Sequence, residues 1–141
     1  MGLFSFAANV GKSLFGKDDD EDKATQALNK EIADLGLDAE GVDIKVEGDK
    51  VVMNGTPKST SMKEKIMLAL GNVKGIASVA DETDNDEEGV FHTVEKGDTL
   101  WAIAAKTMGN GTKYEEIFEA NKPMLTHPDK IYPGQVLRIP S

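Results

Sequence analysis

Residues 81–89 read DETDNDEEG, with six carboxylates and no aliphatic or aromatic side chain. A run of this kind has nothing to bury and repels itself, so one core cannot continue through it, and a chain of 141 residues is divided into two small modules. The halves also differ in charge. Residues 1–88 hold 10 Lys against 19 Asp plus Glu, whereas residues 89–141 hold six bases and six acids. The expectation is an extended acidic linker over residues 82–90 between a strongly negative module and a neutral one that folds by itself. A net charge of −9 leaves no basic face for nucleic acid phosphates or anionic lipid, so cations are the natural small partners. With no Cys, a disulfide framework, a thiolate metal site and a cysteine nucleophile are excluded.

Leu3, Phe6, Ala7, Val10 and Leu14 recur at spacings of three and four, which predicts an amphipathic helix in the N-terminal segment, residues 1–23. No base precedes its apolar residues and an acidic run follows, so it reads as a retained segment rather than a signal peptide. Phe6 stands where a myristoylation motif needs Ser or Thr. Its neighbours are acidic, so it is expected to pack on the next module rather than on anionic lipid. No stretch approaches the roughly 18 to 20 apolar residues that span a bilayer. Cytoplasmic residence, no membrane insertion and a monomer are expected.

Next, the acidic run 18–22 offers an N-cap and favourable charge to a helix whose buried face is Ala24, Ala27, Leu28, Ile32 and Leu35, ending at Gly36. Val42, Ile44 and Val46 alternate as a strand, Gly48 and Asp49 make a two-residue turn, and residues 50–54 return. Ser61 with Glu64 reads as a capping box for a helix ending in a left-handed Gly71, and residues 76–80 supply a third strand. The order over residues 24–81 is α, β, β, α, β. Residues 91–141 read β, α, α, β: a strand at 92–95, helices at 99–108 and 113–120 separated by Gly109-Asn110-Gly111, and a last strand at 136–139. The class is α+β in two small modules.

Catalysis has no foothold. His92 and His127 stand in no nucleophile, metal-ligand or acid–base spacing and read as solvated residues. Residues 84–95 match a calcium loop at positions one, three, six and twelve, with Glu88 at position five, but no helix is expected ahead of it. The acidic run 18–22 lacks shaping glycines and reads as a helix cap whose field concentrates cations.

Two resemblances extend this reading. The motifs V-x-x-G-D-T-L-W-x-I-A at residues 94–104, I-x-x-A-N at 117–121 and I-Y-P-G-Q-x-L-x-I-P at 131–140 resemble a LysM domain. That resemblance implies binding of N-acetylglucosamine-containing glycans through two loops, here Gly97, Asp98, Thr99 and Leu100 in the first and Asn121, Pro123, Met124 and Leu125 in the second. Residues 24–81 resemble a BON domain through V-x-M-N-G at 51–55 and V-x-G-I-x-x-V at 73–79. With its MGLFSF start, the whole chain is similar to the bacterial cytoplasmic potassium-binding proteins that join BON to LysM.

The family resemblance implies selective K⁺ binding with a conformational response, and a site of neutral carbonyls, which favours weakly hydrated ions, would admit Rb⁺ or Cs⁺ as congeners. Potassium is held by rings of neutral oxygens, and free carbonyls at helix ends and glycine turns supply them. The carbonyls so implicated are those of Ala7, Val10 and Lys12 beside Gly11, and of Gly71, Val73 and Ile76 in the turn after the second helix. The competing reading is a peptidoglycan-binding envelope protein acting through LysM, and a third is a scaffold that docks a protein partner there.

Overall fold

The negative charge ahead of residue 24 caps a helix, as the dipole rule requires. In the computed structural model, which describes residues 2–16, 19–87 and 89–140, Asp20 accepts from Lys23 N at 2.8 Å and opens α1 (Glu21–Asp34). Asp18 of the acidic run and Glu88 of the calcium-loop-like stretch lie outside the described residues. A hairpin follows, β2 (Val42–Glu47) and β3 (Lys50–Gly55), turning at Gly48 with φ +67°. Thr25 Oγ1 accepts from Val46 N and Glu21 Oε2 from Gly48 N, so α1 is tied to the hairpin it covers. After α2 (Thr60–Gly71), β4 (Ser78–Thr83) runs parallel to β3 in the register Val51↔Val79 and Met53↔Asp81. Val51, Met53 and Val79 face Leu28, Ile32, Ile66, Met67 and Leu70 in the core of this first module.

The N-terminal segment is not a helix. Gly2–Ser5 is a strand, β1, paired antiparallel with β4, which gives a sheet of order β1-β4-β3-β2. The helical spacing of Leu3 and Phe6 was accidental: Leu3 is 66% exposed, while Phe4 and Phe6, two apart, pack on the core. Residues 7–12 then cross the end of α2 as turns.

Two features of α2 also differ from the sequence reading. Its N-cap is Ser59, accepting from Met62 N at 3.0 Å; Glu64, not a capping residue, is 4% exposed and paired with Arg138. Gly71 does not adopt a left-handed conformation. It is the last helical residue, and it is small because the Phe6 ring lies where a Cβ would stand, 2.2 Å away.

The second module pairs β5 (Val90–Thr93) with β6 (Val136–Ile139) antiparallel. Thr99 caps α3 (Leu100–Met108), Gly109 ends it at φ +75°, and a short 3₁₀ turn (Gly111–Lys113) leads into α4 (Tyr114–Ala120). Val94, Leu100, Ile103, Ala104, Ile117, Leu125, Leu137 and Ile139 form its core.

The modules meet along α2, which packs against β6. Arg138 Nε and Nη2 both reach Glu64 Oε1 at 2.9 Å, and Phe91 stands edge-on to Phe4 with centroids 5.2 Å apart. The segment between the modules is no extended, self-repelling linker. Glu82 and Thr83 continue β4, Val90 begins β5, and between them the carbonyls of Asn85 and Glu87 accept from the buried Lys63 Nζ at 2.8 Å, beside its ion pair with Asp81. Burial pushes the Asp81 carboxyl up, but hydrogen bonds from Thr83 and Lys63 and the Lys63 charge outweigh it and leave the group below the ordinary carboxylate range.

Two measurements check this packing. Gly71→Ala drives a methyl into the Phe6 ring and is expected to lose about 1–3 kcal/mol in urea melts, partly recovered by adding Phe6→Leu. Asp81→Asn strands the Lys63 charge and is expected to cost about 3–5 kcal/mol at neutral pH. A depressed carboxylate stabilises the fold above its unfolded pKa and ceases to do so as pH falls through its folded one. The gap between wild type and Asp81→Asn therefore narrows as pH is taken below about 4.

Candidate functional site

The N-terminal turns and the turn after α2 are joined main chain to main chain. Lys12 N donates to Asn72 O at 3.1 Å, Lys74 N to Lys12 O at 2.9 Å and Gly75 N to Ala8 O at 2.7 Å; Lys12 and Val73 form a parallel bridge. Gly11 makes this approach feasible. Its φ is +105°, and a Cβ there would stand 2.4 Å from Asn72 O. Gly75, at φ +102°, opens the opposite turn. The Lys12 side chain leaves the junction to pair with Glu31 at 2.7 Å.

The structure thus brings Lys12 directly against Val73 and Ala8 against Gly75, with Ala7 and Val10 on the N-terminal side of this junction and Gly71 and Ile76 at the two ends of the turn after α2. Ala7 O accepts from Val10 N, Lys12 O from Lys74 N and Val73 O from Ile76 N, one bond each, which leaves every one of these oxygens a second lone pair. Val73 and Ile76 are buried, so the junction has a dry floor. The second module closes it from outside, because Gly134 packs under Ala7 and Val10, where a Cβ would meet Val10 Cγ2 at 2.8 Å. What sequence reasoning missed is Asn72. Its main chain accepts from Lys12 while its side-chain amide makes two hydrogen bonds to the main chain of Val136, at 2.8 and 2.9 Å. A helix-terminal Asn carries no sequence signal for a partner 64 residues away.

Beside the junction, Lys12, Glu31, Leu68, Met124 and Tyr132 line a cavity of about 460 Å³ between the modules. Burial pushes the Tyr132 phenol up. Among the described residues no group of three or more His, Asp or Glu is placed to hold a metal ion, and no helix is long and apolar enough to cross a membrane.

The residues assigned to glycan loops divide. Gly97 is an exposed turn residue at φ +91°, Thr99 caps α3, and Leu100 is buried in the core. Asp98 Oδ2 accepts from Glu95 N at 2.9 Å and meets His92 Nε2 at 3.0 Å, which together hold its carboxyl below the ordinary range. His92 is therefore a partly buried partner of Asp98 and not a solvated residue; His127 is exposed. Asn121 and Leu125 are buried, and Met124 packs on the core of the first module. Asn121 donates to the carbonyls of Ile117 and Arg138 and accepts from Arg138 N, while Pro123, half-buried after a cis peptide bond, lines the cavity. The open groove beside Thr99 and Leu100 is instead completed by Trp101, Tyr114, His127 and Asp129. Trp101 is 54% exposed, and its ring covers Gly111 beside Tyr114.

Comparison with known proteins gives this architecture its kin. The chain matches the BON domain over residues 19–84 and the LysM domain over residues 92–140. It is 46% identical to the potassium binding protein Kbp of Escherichia coli O6:H1 (strain CFT073) over 99% of both chains. An uncharacterized protein of Deinococcus radiodurans is 28% identical over 70% of this chain and 44% of its own length. The SpoIVD-associated factor A of Bacillus subtilis (strain 168) is 44% identical over 36% of this chain and 12% of its own. Whole-length kinship and the order of the two domains place the chain in the BON-plus-LysM family that includes the potassium binding protein of Escherichia coli.

Proposed function

We propose that this chain is a non-enzymatic potassium-binding protein of the cytoplasm, acting as a monomer, in which main-chain carbonyls at the junction of residues 7–12 with residues 71–76 hold the ion. The observation that carries the reading is that junction. Two turns, each containing a positive-φ glycine, are hydrogen-bonded face to face over a buried floor, with carbonyl lone pairs still free. Kinship over 99% of the length to a protein named for potassium binding supports the same ion. Carbonyl oxygens carry no net charge, so they compete poorly for the tightly hydrated Na⁺ and Li⁺ and favour K⁺, with Rb⁺ or Cs⁺ as congeners. The junction touches the LysM domain at Gly134 and, through Asn72, at Val136, which gives an ion there a means of altering how the domains dock.

Isothermal titration into potassium-free protein tests this. Binding to the native state adds RT ln(1 + [L]/Kd), about 2.7 kcal/mol at a hundredfold excess over Kd, so K⁺ should also raise the melting temperature. At constant ionic strength, where screening is equal, Na⁺ should not. Gly11→Val places a branched side chain against Asn72 O and should weaken K⁺ binding at least tenfold, or about 1.4 kcal/mol. A response to Na⁺ equal to that to K⁺, or a Gly11→Val variant with wild-type affinity, overturns the carbonyl site.

Glycan binding through LysM is the second reading, and the exposed Trp101 face beside Thr99 favours it, since aromatic faces stack on sugars. Titration with chitin oligomers should give binding that Trp101→Ala abolishes. No heat and no change in Trp101 fluorescence would leave LysM as a docking domain.

A further inference from the structure

Four oxygens surround the ammonium of Lys63. Asp81 Oδ2 lies 2.9 Å from Nζ, the carbonyl oxygens of Asn85 and Glu87 each lie 2.8 Å away, and Asn85 Oδ1 lies at 3.3 Å. The Lys63 side chain is 2% exposed and that of Asp81 5%. A buried ammonium has three N–H donors to satisfy, and a carboxylate meets one of them. Here two main-chain carbonyls and an amide oxygen converge on the same point, the mixed oxygen shell that replaces the water around a weakly hydrated monovalent cation.

The position is otherwise a poor one for a positive charge. Lys63 sits one turn into α2, whose N-cap is Ser59, at the helix end where the dipole opposes a cation. The oxygens are in turn fixed by bonds of their own. Thr83 Oγ1 donates to Asp81 Oδ1 at 2.6 Å, Asn85 Nδ2 to Thr60 Oγ1 at 3.0 Å, and Glu87 N to Asn85 Oδ1 at 3.0 Å. The cradle is thus built by the acidic segment itself, and Lys63 is what that segment folds around.

We propose that this cradle is a monovalent-cation site whose ion is supplied covalently. The Lys63 ammonium stands where a dissolved potassium-sized cation would stand, and it keeps the BON–LysM joint ordered whatever the salt. Shortening the side chain removes the ion but not the oxygen donors, so free ammonium, K⁺ or Rb⁺ then takes its place and draws the segment back around it. This site is separate from the carbonyl junction at residues 7–12 and 71–76.

The test uses the full chain with Lys63→Ala and reads melting temperature in chlorides of matched ionic strength. The variant should melt about 10 °C below wild type in choline chloride. n-Propylammonium chloride, which replaces the deleted methylenes and ammonium, should recover at least half of that loss and leave wild type unmoved, while propanol and choline do nothing. K⁺ should raise the variant more than it raises wild type, and more than Na⁺ does. Lys63→Met fills the slot without a charge, so it should be destabilised and unresponsive to propylammonium. Should Lys63→Ala be unfolded in choline, regain of far-UV circular dichroism scores the same salts. The proposal fails if propylammonium and choline act alike on Lys63→Ala, or if Lys63→Met is as stable as wild type.

Discussion

Helix α2 is covered on one side by the BON sheet and on the other by β6, so polar side chains along it have left water and must find partners inside the protein. The partners are specific. Glu64 meets Arg138, Lys63 meets Asp81 with two carbonyls of the acidic segment, and Asn72 at the helix end meets Val136. Every buried side-chain polar atom among the described residues has a hydrogen-bond partner. This demand, rather than apolar contact alone, sets the orientation of the second domain. Removing one member of such a set leaves its partner unpaired in a dry place, which costs more than the contact contributes.

Much of the fold was legible because local chemistry agreed with the global outcome. Gly48 with Asp49 turned the hairpin, the acidic run capped α1, and Gly109 ended α3. Two of the misses share one cause, the second flank of α2. Ser61 with Glu64 has the spacing of a capping box, but Glu64 had to face Arg138, and Ser59 was left as the cap. Residues 81–89 hold no apolar side chain and read as a repelling linker, yet a lysine 18 residues upstream of Asp81 gives that segment a charge to fold around. At the N-terminus, spacings of three and four were produced by a strand followed by turns, and periodicity over so short a stretch cannot tell these apart.

The candidate ion site was legible only in part, and for a different reason. Its chemistry is in the main chain, which is the same at every residue, so the side chains that mark it are the glycines that let the backbone bend and approach. Gly11 was visible in that role; Gly71, read the same way, is there to admit the Phe6 ring. The resemblance of the chain to its family, carried by the LysM motifs and the domain order, was readable because those motifs hold side chains in their own core, such as Leu100, Ile103, Ala104 and Ile117. Asn72 could not be found, since its role depends on a strand that arrives much later in the chain.

One consequence follows from the hydrogen bonds along β6. The strand pairs with β5 on one side only, and on the other its main chain is closed by two asparagine amides, Asn121 at Arg138 and Asn72 at Val136. An unclosed strand edge is a template on which another chain can add. Asn121 belongs to LysM, but Asn72 belongs to BON. The BON domain is thus a guard on the sheet of its neighbour. Proteolysis or a truncated message that separated the two would release a LysM fragment with half its edge bare, open to self-association through that strand.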